Sequence, residues 1–225
     1  MKKIDKTNIK ISLAFNILIV IMTVVALTVV LAQLKFMKGY EERAELTGLQ
    51  AFGYYTVQSN VFMAIVSFAL AIKEIKLLKG KIEIIPSKYY IFKMIAATAV
   101  GLTFFTVFII FSILLKKGLL MLLKNGNLFF HFIIPVTSIL NFILFEKTDA
   151  IKFKHTFYGL IPTFLYEIFY ISNVLLYMKD GKVSPAHDWY YFTQQGLLIV
   201  ISIPFIMLGI TYIIALINWR LNKNR

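Results

Sequence analysis

Two short polar runs interrupt an otherwise apolar chain, and their residue types and spacing suit acyl chemistry. The first is Tyr54-Tyr55-Thr56-Val57-Gln58-Ser59-Asn60. In it Thr56, Ser59, Asn60 and Met63 recur at i, i+3, i+4 and i+7, one face of a helix. The second is Asn127-Leu128-Phe129-Phe130-His131, with Pro135 beyond it. Asn127, His131 and Pro135 are four apart and again share a face. A hydroxyl beside an imidazole is a minimal nucleophile–base pair, in which the ring takes the proton as the oxygen attacks a carbonyl. Asn60, Asn127 or Ser59 then orients the His131 ring or donates to the oxyanion. Both runs also have a plain structural reading. Thr and Ser bond back to carbonyls one turn earlier, Asn bonds across helices, and proline kinks a helix.

Glu167 is the third candidate, the only carboxylate well inside an apolar block. Ionisable groups at that depth are costly, so it reads as a polar relay or as an anchor bonded to Tyr166, Tyr170, Asn60 or Ser138. His155 reads as a solvated loop residue. His187, Asp188 and Trp189 read as a lid or, preferably, as part of an interfacial aromatic group with Tyr190 and Tyr191. Three histidines, two of them outside the apolar blocks, argue against a metal centre, and no cofactor is needed for the acyl chemistry. The chain has no cysteine, which excludes disulfides and thiolate chemistry.

The elements that must position these residues are long apolar blocks. They cover Ile11–Leu34, Tyr54–Ile72, Tyr90–Leu115, Leu128–Phe145, Tyr158–Tyr177 and Leu197–Trp219. Each is long enough to span the hydrocarbon at about 1.5 Å per residue. None alternates with period two, so barrel strands are not expected. The expected fold is all-α: a single domain over 1–225, polytopic, with six transmembrane helices. The first block is too long for a signal-peptide core and reads as a retained span.

Charge sets the orientation. With six crossings, sixteen of the 24 Lys and Arg fall on the side of both termini, Lys93 counted among them, and eight on the other. The positive-inside rule then places both termini in the cytoplasm, N-in and C-in. The formal charge of +13 flanks apolar blocks, so the partners are membrane lipids, with no nucleic acid. The high Lys-to-Arg ratio suggests a bacterial plasma membrane. The first outer loop, with Glu41, Glu42, Arg43 and Glu45, suits a short surface helix. In this topology Thr56 lies about 3–5 Å and His131 about 6 Å below the outer edge, one common layer. Glu167 lies about 15 Å down.

The Tyr-Thr-Val-Gln-Ser-Asn run and the later Asn-x-x-x-His-x-x-x-Pro run resemble those of the androgen-induced-protein family of six-span membrane proteins and its bacterial branch. The resemblance covers most of the chain in topology and two short motifs in residues. Eukaryotic members of that family are threonine hydrolases that cleave fatty acid esters of hydroxy fatty acids within the membrane. The resemblance implies Thr56 as nucleophile, His131 as base and a lipid-like acyl substrate. An acyltransferase would differ only in its acceptor. Two rival readings stand beside it: a transporter with a polar path through Glu167, and a non-catalytic membrane scaffold in which Thr56 and His131 only pack helices.

Overall fold

The computed structural model describes residues 6–34, 48–114, 123 and 125–223. Helix α1 (Lys6–Leu31) is followed by a 3-10 turn at Gly48–Gly53 and then by α2 (Tyr55–Leu78). Helix α3 (Ser87–Phe105) runs on into a π-helical stretch, Thr106–Leu114. A single turn (Gly126–Leu128) and a π segment (Phe129–Ile133) lead into α4 (Ile134–Leu144). A 3-10 stretch (Phe153–Leu160) precedes α5 (Ile161–Leu176), and α6 (Leu197–Asn222) completes the described chain. No strand occurs among the described residues beyond an isolated bridge between Lys179 and Lys182. The surface-helix expectation at Glu41–Glu45 lies outside the described residues.

Five of these helical segments are long and apolar enough to cross a bilayer: Lys6–Leu31, Ser87–Ile113, Gly126–Leu144, Phe153–Leu176 and Val200–Asn222. Helix α2, at 24 residues, is not among them. It carries Gln58, Ser59 and Asn60 near one end and Lys73, Glu74 and Lys76 near the other, and packs against α1 and α3. The exposed faces are apolar: Ile17, Ile21 and Val24 on α1, Leu165 and Ile168 on α5, Phe205 and Ile213 on α6. Exposed apolar area on this scale suits lipid rather than water. The architecture is that of a polytopic helical membrane protein.

Helix α3 is the hub. It contacts α2, α4 and α6, and 61% of its apolar window is buried, against 33% or less for the other four segments. Small side chains make that possible, because they let backbones approach closely. Ala96, Ala97, Ala99 and Val100 are fully buried. A Cβ placed on Gly101 would lie 2.9 Å from Ile214 Cγ2, and one on Gly159 would lie 3.0 Å from Ala215 Cβ. Glycine at these two positions lets α6 approach α3 and the 3-10 stretch without displacing Ile214 or Ala215.

Lys93 departs from the charge reading. It is fully buried in the second turn of α3 rather than in a cytoplasmic loop. The helix begins at Ser87, upstream of the apolar block, which carries Lys93 into the bundle. His155 is also not solvated. It is 9% exposed, and its Nδ1 accepts the Lys152 N–H at 3.0 Å.

Candidate functional site

The first turn of α2 is tied to the π segment that carries His131. Asn60 is fully buried, and its Nδ2 donates to the Thr56 carbonyl at 2.7 Å and to the Phe130 carbonyl at 3.0 Å. The carbonyls of Thr56 and Phe130 are thus no further apart than those two bonds allow. His131 follows Phe130 directly. Ser59 Oγ also donates to the Thr56 carbonyl at 3.1 Å, and it shares a 3.1 Å bond with Thr103 Oγ1 of α3. An amide has two donors, and both of Asn60's are used on backbone. Asn60 therefore ties the two backbone segments together. Its Oδ1 is buried without a hydrogen-bond partner among the described residues.

Local sequence explains the π segment. Pro135 has no N–H to give to the carbonyl four residues earlier, that of His131. The chain takes wide turns over Phe129–Ile133 and resumes α geometry at Ile134. Thr56, Asn127 and His131 are all half-buried. Two surface recesses among the described residues lie elsewhere. One is lined by Tyr177, Lys179, Lys182, Val183, Ser184 and His187, the other by apolar side chains around Ile17 and Phe68.

An aromatic cap covers the start of α2. The Tyr55 N–H donates to Tyr190 Oη at 3.2 Å, and Tyr166 Oη donates to the Gly53 carbonyl at 2.7 Å. Trp189 Nε1 donates to Tyr166 Oη at 3.1 Å, and Tyr170 Oη donates to Asp188. Asp188 in turn accepts the N–H groups of Phe192 and Thr193 at 2.9 and 3.1 Å. Asp188 and Trp189 are 2% and 8% exposed. They are structural parts of a folded cap rather than loose interfacial aromatics. Burial pushes the Tyr190 hydroxyl up to about 12, so it accepts the Tyr55 N–H as a neutral hydroxyl.

Glu167, in α5, is half-buried, and its Oε1 is buried without a hydrogen-bond partner among the described residues. It lies close enough to Tyr55 for their charges to interact.

A second constellation joins residues that sequence reading kept apart. Lys93 Nζ donates to Asn16 Oδ1 and to Ser67 Oγ (2.7 Å), and it lies 3.4 Å from Glu146 Oε1. That carboxylate oxygen also accepts from Asn16 Nδ2 at 3.0 Å, Asn141 Nδ2 at 2.7 Å and Ser12 Oγ at 3.2 Å. Glu74 accepts from Ser12 Oγ at 2.5 Å and Asn16 Nδ2 at 3.1 Å. All seven residues are 2% exposed or less. One signal for this cluster existed: Lys93 sits inside the third apolar block. The others stand at block ends or pass for packing residues.

Among the described residues no three His, Asp or Glu side chains converge as metal ligands. Comparison with known proteins finds no matching family model, no matching curated protein and no matching solved structure.

Proposed function

We propose that this chain is a six-span protein of the bacterial plasma membrane, with both termini in the cytoplasm, that hydrolyses acyl esters of the hydroxy-fatty-acid type inside the bilayer. The observation that carries the reading is the Asn60 bridge between the Thr56 and Phe130 carbonyls. It supports the reading by tying the segment of Thr56 to the segment of His131.

In this mechanism the His131 ring takes the Thr56 hydroxyl proton as Oγ1 attacks the ester carbonyl carbon. The tetrahedral oxyanion collapses, the carbon–oxygen bond to the alcohol breaks, and His131 returns the proton to the leaving oxygen. Water, deprotonated by His131, then attacks the acyl-threonine and releases the fatty acid. In this reading Asn127 donates to the oxyanion, since Asn60 spends both its donors and Ser59 its one hydroxyl proton on backbone carbonyls. An acyl chain enters laterally from the outer leaflet.

The test is a serine/threonine-directed covalent probe on the purified protein. The wild type is labelled at Thr56, and Thr56→Ala and His131→Ala lose both labelling and ester turnover. Equal labelling of Thr56→Ala would sink the proposal. A transporter is the second reading, supported by the buried, unbonded Oε1 of Glu167. Flux into proteoliposomes that is lost in Glu167→Gln and kept in Thr56→Ala would favour it.

A further inference from the structure

The Lys93 cluster plays no part in the ester chemistry, and its charges do not balance. Two carboxylates, Glu74 and Glu146, face one ammonium in a volume closed to water. Among the described residues, helix α1 reaches it with Ser12 and Asn16, and α4 with Asn141 ahead of Glu146. Helix α6 approaches through Asn222, which donates to the Glu146 carbonyl, while its Arg220 is exposed and its Lys223 lies over the Trp219 ring. Tyr90 of α3 is the remaining titratable group in electrostatic range of both carboxylates. Lys73 turns away, its Nζ 5.1 Å from the Tyr89 ring, and Lys147 is exposed. An uncompensated buried charge is strongly unfavourable.

Two acceptor atoms of the same group lack donors. Glu146 Oε2 and Asn141 Oδ1 are buried with no hydrogen-bond partner among the described residues. Their side chains are 2% and 0% exposed and are already joined by the 2.7 Å bond from Asn141 Nδ2 to Glu146 Oε1. What is missing is therefore a donor or a cation. A metal cation would need a shell of about six oxygens, and here it would sit beside an ammonium with two left over. A single proton supplies both the charge and the donor.

We propose that Glu74, Glu146 and Lys93 form a reversible proton-binding site, in which the carboxylate pair holds one proton and its release weakens the packing of α1, α2 and α4 around Lys93. When the carboxyl O–H bond breaks, the proton passes to water at the near end of the bundle. The carboxylate left behind adds a negative charge that Lys93 alone cannot neutralise. The inference is independent of the ester chemistry.

Infrared spectroscopy of the purified protein tests it, because a protonated carboxyl and a carboxylate absorb differently. Glu167→Gln serves as the background, removing the other buried Glu with an unbonded oxygen. Above about pH 6 solvated carboxyls are ionised, so the remaining protonated-carboxyl band reports buried groups. The band should be present at neutral pH, fall as the pH is raised towards about 9, and disappear in Glu74→Gln or Glu146→Gln. No such band in the Glu167→Gln protein, or one unchanged by both Gln substitutions, would overturn the proposal. Loss of the band on adding sodium at fixed pH would also overturn it, making the site one for a metal cation. Should the cluster variants fail to fold, absence of the band from the Glu167→Gln protein still overturns the proposal.

Discussion

At the scale of single residues, two buried side chains tie separate segments of the chain together. Asn60 satisfies two carbonyls on different segments with one amide. Asn60→Leu keeps the approximate volume and removes both donors. Leaving buried carbonyls unpaired costs about 1–3 kcal/mol each. A lowered melting temperature and a loss of ester turnover larger than the loss of folded protein are the expected results. Turnover that tracks the folded fraction alone would mean that Asn60 supports the fold and not the pair. Lys93 offers a sharper test. Removing one partner of a buried ion pair costs about 3–5 kcal/mol, because the remaining charge is uncompensated, whereas replacing both partners is often tolerated. Lys93→Met should therefore destabilise strongly. The double variant Lys93→Met with Glu146→Gln should recover much of that loss, read as a coupling energy from melting in detergent. Additive losses would show that Lys93 and Glu146 do not act as a pair.

At the scale of elements, the apolar blocks were legible in the sequence and the irregular turns between them were not. Each expected block coincides with a helix to within a few residues, because about 20 consecutive apolar residues leave the backbone no alternative in lipid. Length and hydropathy do not reveal that Thr106–Leu114 and Phe129–Ile133 are π-helical, nor that Phe153–Leu160 is 3-10. Pro135 was a visible signal of a kink, but not of its form. The face shared by Thr56, Ser59 and Asn60 was also visible, whereas its partner, the Phe130 carbonyl, was not, since a backbone acceptor leaves no mark in residue type. Lys93 was missed for the opposite reason: a lysine near a block end is ordinarily at the headgroups. Pro135→Ala tests what the π segment does. It restores a donor for the His131 carbonyl, favours regular α geometry, and rotates His131 relative to α2. Stability should be kept or raised, while the proposed ester turnover falls about ten- to a hundredfold, the usual penalty for misplacing a base. Unchanged turnover would detach the position of His131 from the π geometry.

At the scale of the whole molecule, the number of crossings is decided by α2. Five segments satisfy length and apolarity, and α2 is the sixth helix of comparable length. The count matters because parity fixes the ends: six crossings put both termini on one side, five put them on opposite sides. The proposed topology requires six. Helix α2 lies between α1 and α3, both apolar enough to span, and it buries Val57, Met63, Val66 and Leu70 against them. Its charged residues Lys73, Glu74 and Lys76 gather at one end, leaving an uncharged stretch from Tyr55 to Ile72. The natural absence of cysteine makes a direct test simple. Leu49→Cys, Lys79→Cys and Asp180→Cys place single thiols at exposed positions, the first two flanking α2. A membrane-impermeant maleimide added to intact cells should label positions 49 and 180 and reach 79 only after lysis. Labelling of 49 and 79 from the same side would mean that α2 does not cross. Thr56 would then no longer meet the bilayer from the outer face, and the common layer it is proposed to share with His131 would go with it.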